Sequence, residues 1–219
     1  MNLAPMLISL RVASLAALLA LAIGLPLATL LARRVSFWSR LLDAIATLPL
    51  VLPPTVLGYY LLVSLGARSP FGATLENLGL PLVFTWRGAV IAASFVALPL
   101  ITQSARAALE SVDADLEDVA RTLGHSELSV FFTIRLPLAW RGILAGIVLA
   151  FARALGEFGA TLLVAGNIPG STQTMPLAIY DAVQRGDQAM ANIMALVLTS
   201  VALIMLISIR RFGQGIGHE

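Results

Sequence analysis

Hydrophobic and polar positions along this chain segregate into long blocks. Five stretches carry almost no charge: residues 12–32, 44–66, 88–106, 142–164 and 188–209. Each approaches the ~20 residues that a helix needs to cross a hydrocarbon core of ~30 Å. The pattern predicts an all-α, multi-pass membrane protein of about five spans, one domain over residues 1–219, sitting in a lipid bilayer. The first block is too long for a signal-peptide core and has no convincing cleavage site, so it is read as retained. In the second, Pro49, Pro53 and Pro54 break the first half. A helix from Pro54 to Leu65 alone covers only about 18 Å at 1.5 Å per residue. The irregular part must then lie at membrane depth, where it is tolerated only when buried in protein or lining a wet cavity. Pro99 is expected to kink the third span. Residues 68–87 read as a polar connection, and residues 167–174 as an external loop. Thr174 and Pro176 then open a short helix that Gly186 ends.

Between the third and fourth blocks, residues 110–140 form the one long charged interval. Asp113 is a good N-cap, and Asp115, Glu117 and Asp118 bring negative charge to the first turns, as a helix N-terminus prefers. Leu116, Val119, Ala120 and Leu123 recur at i, i+3, i+4 and i+7, which makes one apolar stripe. Glu117 precedes Arg121 by four residues on the outer face, the favourable order for a helical ion pair. Gly124 stops this helix, because glycine enters the left-handed C′ conformation without penalty. Ser126 caps a second short helix carrying Leu128, Phe131, Phe132 and Ile134, and Pro137 closes it. Two short amphipathic helices between spans make a docking surface.

Composition narrows the function. The chain is 58% hydrophobic and 12% charged, with mean hydropathy +0.91; a soluble domain carries about twice that share of charge. All fourteen basic residues are arginine. Without lysine there is no Walker A lysine and no Schiff-base chemistry, so this chain is not itself a conventional P-loop ATPase. The lack of cysteine excludes disulfides and thiolate metal sites. Despite a pI near 9.7, the arginines sit mostly at membrane ends rather than in a cluster, which argues against a nucleic-acid partner. With residues 110–140 placed inside, Arg33, Arg34, Arg40, Arg106, Arg121, Arg135, Arg141, Arg210 and Arg211 are inner. Only Arg11, Arg68, Arg87 and Arg185 are outer. Nine against four obeys the positive-inside rule and puts the N-terminus out and the C-terminus in.

Candidate chemistry is sparse. Arg153 and Glu157 lie inside the fourth span, about 18 and 24 Å from Arg141 along a helix. Charges at that depth cost ~2.5–3.5 kcal/mol each and normally face an interior or a wet path. Two readings stand: a pathway or gate position, or an ion pair that fixes helix packing. Gly156 and Gly159 beside them let another helix approach closely. The proline-broken elements, with Pro53, Pro54, Thr55 and Pro99, are the other gate candidates. Hydroxyls such as Thr47, Ser94 and Thr102 could line a path or simply bond to their own helix. No catalytic residue and no metal ligand is assigned. His125 lies in the charged loop and His218 in the tail, out of reach of a membrane-embedded serine, and no metal-ligand spacing or phosphate loop occurs.

The spacing of Gly124, nine residues, Ile134, one residue and Leu136-Pro137 resembles the EAA loop of ABC-importer permeases. Where that pattern has Glu-Ala-Ala ending four residues before the glycine, this chain has Asp118-Val119-Ala120, and Glu117 is displaced by one position. The resemblance implies that Glu117, Asp118, Ala120, Gly124, Ile134, Leu136 and Pro137 couple the chain to a cytoplasmic ATPase. Further stretches, LPLVLPPTVLGYYLLVSLG (48–66), FTWRGAVIAASFVALPL (84–100), FARALGEFGATLLVAGNIPG (151–170) and TQTMPLAIY (172–180), resemble permease subunits of bacterial molybdate ABC importers. That resemblance implies a homodimer in the bacterial inner membrane, two copies of an ABC ATPase and an extracytoplasmic solute-binding protein. Import of molybdate would run by alternating access. ATP and Mg would be bound by the ATPase, with no cofactor in this chain, a pore-forming subunit rather than an enzyme. Tungstate, sulfate and thiosulfate remain open as solutes, and a stand-alone channel or secondary transporter is the alternative of a different class.

Overall fold

The computed structural model describes residues 3–33 and 36–213. Arg34 and His218 lie outside the described residues, as do the side chains of Arg33, Arg210 and Arg211. The chain runs through α1 (Ala4–Arg33), α2 (Phe37–Val51), α3 (Pro54–Leu65), α4 (Pro70–Asn77) and α5 (Trp86–Glu110). It continues through α6 (Ala114–Thr122), α7 (Glu127–Val130), a π-helical turn (Phe131–Arg135), α8 (Leu136–Leu155), α9 (Gly159–Ala165), α10 (Met175–Gln184) and α11 (Gln188–Gly213). Among the described residues, four helical stretches are long and apolar enough to cross a membrane, and the bent pair α2–α3 makes a fifth if counted as one span.

Helix α5 is the central post, packed against α1 on one side and α8 on the other. Small residues make this closeness achievable. Ala13, Ala16 and Ala20 of α1 share a buried cluster with Ala89, Ala93 and Ala97 of α5. Between α5 and α8 the fit is tighter, since a Cβ on Gly142 would lie 2.5 Å from that of Ala108. Lipid supplies little hydrophobic drive between helices, so van der Waals contact of this kind is what holds spans together. At the outer end the Arg11 guanidinium stacks 3.9 Å from the Trp86 ring centre, joining α1 to the start of α5. At the inner end Arg106 joins α5 to Asp43 of α2 at 3.0 Å and to Glu110 at 2.7 Å.

Several boundaries differ from those the sequence predicts, each for a local reason. The second span is broken as expected, with α2 and α3 bent by 113°. The residue before a proline is pushed out of the helical region; accordingly Leu52 and Pro53, each followed by proline, have ψ of 137° and 135°. The supposed polar connection after Gly66 holds α4, capped by Ser69 Oγ, which accepts from Gly72 N at 2.8 Å. Pro137 does not close the short helix α7. It lies in the first turn of α8, and residues 127–155 form one continuous helical stretch. The π turn explains this: Leu136 N–H reaches back five residues to Phe131 O, and the widened turn makes room for a proline ring that would clash in a regular helix. The predicted fourth span, 142–164, is divided at residues 156–158 into α8 and α9. Finally, Thr174 stands at the N-cap of α10 without making a cap bond; Ser9 Oγ of α1 accepts from Met175 N at 2.7 Å instead.

Candidate functional site

Two regions gather the predicted residues. The first is the inner loop from α6 to the π turn. Asp113 Oδ1 accepts from Asp115 N at 3.0 Å and starts α6. Gly124, with φ of +88°, ends it. An added Cβ there would meet nothing within 4 Å, so backbone angle rather than space requires glycine. Ser126 Oγ accepts from Ser129 N at 3.3 Å and starts α7. Of the predicted stripe only Ala120 is buried. Leu116, Val119 and Leu123 face outward with Leu128 and Phe132, and Leu123 and Leu128 are 74% and 72% exposed. Asp118 and Pro137 are exposed, whereas Ile134 and Leu136 are half-buried.

Charge fixes the shape of this loop. Arg121 donates to Glu127 at 2.6 Å, Glu117 at 2.8 Å and Asp118 at 2.6 Å. These bonds, first that to Glu127, hold the Arg121 pKa above the ordinary arginine value. Glu117 points into the fold rather than toward the exposed face. It is 8% exposed, and its other oxygen pairs with Arg135 Nε at 2.8 Å. Arg135, 6% exposed, also donates from Nη2 to Leu109 O at 3.5 Å. Arg135 is the residue that sequence reasoning missed, counted only as an inner positive charge. Nothing local marks it, because its partners lie eighteen and twenty-six residues away.

The second region is the break between α8 and α9, at membrane depth. Arg153 Nη1 pairs with Glu157 Oε2 at 2.8 Å. Glu157 Oε1 accepts from Ala160 N at 2.9 Å, so the buried carboxylate caps α9 as well as binding the arginine. The two charges are thus paired with each other and with the backbone of α9. Arg153 keeps 33% of its side chain exposed, against 2% for Glu157. Gly156 ends α8 and is exposed. Gly159 abuts the other break: a Cβ there would lie 3.1 Å from Pro54 Cβ and 3.5 Å from Thr55 N. One turn on, a Cβ at Gly58 would lie 2.8 Å from Ala160 Cα, so α3 and α9 touch backbone to backbone. Pro53, Pro54 and Thr55 are exposed here. Pro99 is not brought to this place as an exposed group; it is fully buried in α5. The hydroxyls of Ser94 and Thr102 bond to Ile91 O and Leu98 O of their own helix at 2.8 and 2.9 Å. Among the described residues no group of three or more His, Asp or Glu is placed to hold a metal ion.

Two proline- or glycine-broken helical segments pressed together, in a fold that also carries an exposed apolar loop, suit a transporter. Residues 24–218 match the family model of the binding-protein-dependent transport system inner membrane component. The chain belongs to this family. It is a multi-pass protein of the cytoplasmic membrane. It is 48% identical over 203 residues to the molybdenum transport system permease protein ModB of Escherichia coli strain K12, covering 92% of this chain and 89% of that protein. It is 41% identical over 219 residues to ModB of Azotobacter vinelandii, covering 98% and 97%. The inward-facing methionine ABC transporter MetNI shares the fold, with a TM-score of 0.73 at 17% identity over 98% of this chain and 95% of that one.

Proposed function

We propose that this chain is the permease subunit of an ATP-driven importer that moves molybdate across the cytoplasmic membrane. The observation that carries the solute is the 48% identity to a molybdenum permease over nearly the whole of both chains. Geometry supports the machine. The middle of α5 is packed with alanine and a buried Pro99. A path is better made between two copies, with the adjoining breaks at Pro54 and Gly159 near it. The exposed leucines of α6 and α7 suit the groove of a cytoplasmic ATPase, which would bind ATP and Mg. A solute-binding protein would deliver the anion from outside. Closure of the ATPase pair would draw the two loops together and open the path outward, and hydrolysis would reset it inward.

Glu157 repels anions if free, but here its charge is taken up by Arg153 and the α9 amide. Selectivity then rests largely with the binding protein. The test is uptake by proteoliposomes holding this chain with its ATPase and binding protein, offered molybdate, tungstate and sulfate in parallel. Molybdate uptake exceeding that of sulfate supports the reading. Uptake of sulfate alone keeps the importer and replaces its solute.

A further inference from the structure

We propose that the Glu117–Arg135 pair is the tie that makes α6 move as one body with α5 and α8. The inference rests on the importer reading and adds the residues through which motion of the loop reaches the membrane.

Helix α6 touches the rest of the chain lightly. Its packing is against α7 and the π turn, and Leu116, Val119 and Leu123 face away from the fold. Pressure on that outer face would tip α6 unless something held it. The buried pair supplies the hold. Glu117 sits mid-helix in α6 and grips Arg135 at 2.8 Å, one residue before α8 begins. The same guanidinium reaches the carbonyl of Leu109, next to the last residue of α5. The tie is one of charge more than of aligned hydrogen bonds: Arg135 Nε lies 2.8 Å from Glu117 Oε1 without hydrogen-bond alignment, and the buried pair holds because parting it leaves both charges uncompensated. The second Glu117 oxygen is held by Arg121, so the carboxylate cannot swing away from Arg135 without breaking a further bond. From Arg135 the helix runs unbroken to Leu155, with the Gly156 break at its far end. Helix α5 moves with it, because Gly142 admits Ala108 at contact distance. Glu117 and Arg135 are thus positioning residues that act through helices rather than on solute.

The test uses the full assembly of this chain, ATPase and binding protein in proteoliposomes, with ATP hydrolysis and oxyanion uptake read from the same vesicles. Glu117→Leu combined with Arg135→Met removes the tie while filling its volume with apolar atoms, a replacement that buried ion pairs often tolerate. The complex is expected to assemble and hydrolyse ATP, with uptake per ATP lowered about tenfold, within the range of coupling between sites. An unchanged ratio overturns the inference while leaving the importer reading intact. No ATP-driven uptake by the unmodified assembly would instead remove the importer reading itself. A second measurement keeps the tie itself intact. The chain has no cysteine, so spin labels at Asp115→Cys on α6 and Arg141→Cys on α8 report their separation directly. That separation is expected to stay constant between nucleotide-free and ATP-bound states. A shift of about 5 Å, one helical turn, would show α6 sliding on its own and overturn the proposal.

Discussion

Glu117 and Glu157 look alike in sequence and do different work. Each is a buried carboxylate paired with an arginine four residues away, at 2.8 Å in both cases. Glu117 lies within a helix and pairs with a second arginine from another element, so it joins α6 to the π turn that leads into α8. Glu157 lies between two helices and holds an amide three residues on, so it joins α8 to α9 locally. The first stands beneath an exposed apolar face, the second at the junction of two helix breaks. Substitutions around the inner loop should therefore disturb coupling before stability. Those around the break should disturb stability first.

The largest effect is expected on the exposed face. Leu123→Asp with Leu128→Asp should abolish copurification of the ATPase, since burying each anchor is worth about 2 kcal/mol or more, roughly 30-fold in affinity. Thermal unfolding of the permease alone should shift by less than about 0.5 kcal/mol, as for other surface changes. Retained copurification would move the docking surface elsewhere. Next comes Glu157→Ala, which leaves Arg153 without its partner and α9 without its cap. A loss of about 3 kcal/mol is expected, at the low end for a broken buried pair because Arg153 is partly exposed. A lowered unfolding midpoint in detergent would register it. The double variant Arg153→Met, Glu157→Gln should recover most of that stability. Recovery of transport with it favours packing, and recovery of stability without transport makes Arg153 a pathway group.

Smaller effects follow from backbone. Gly58→Val forces α3 from α9 at a contact of 2.8 Å, for about 1–3 kcal/mol and a lower unfolding midpoint. Gly124→Asp places a side chain at φ of +88° and should cost about 1–2 kcal/mol, confined to the loop. That variant should insert normally and lose ATP-driven uptake. Normal transport by it would separate the turn from coupling.

Much of the inner loop was legible because its signals are local. Asp113, Ser126 and Gly124 announce two starts and a stop within fourteen residues, and Glu117 and Arg121 announce their bond by spacing. The stripe was legible too, although all of it but Ala120 faces outward, since periodicity marks a face and not what covers it. The fourth span was harder. Gly156 in an apolar run reads as a close-packing residue, and only the Glu157–Ala160 bond shows that a new helix begins there. Arg135 was illegible because its role depends on α5 and α6 arriving beside it. Pro137 misled because a π turn relieves the clash that normally ends a helix.

The most direct measurement is uptake of labelled molybdate into sealed vesicles, comparing this chain alone with the assembly containing ATPase and binding protein, with and without ATP. Uptake is expected only from the complete assembly with ATP. Uptake by this chain alone would contradict the account and return it to a channel or secondary transporter.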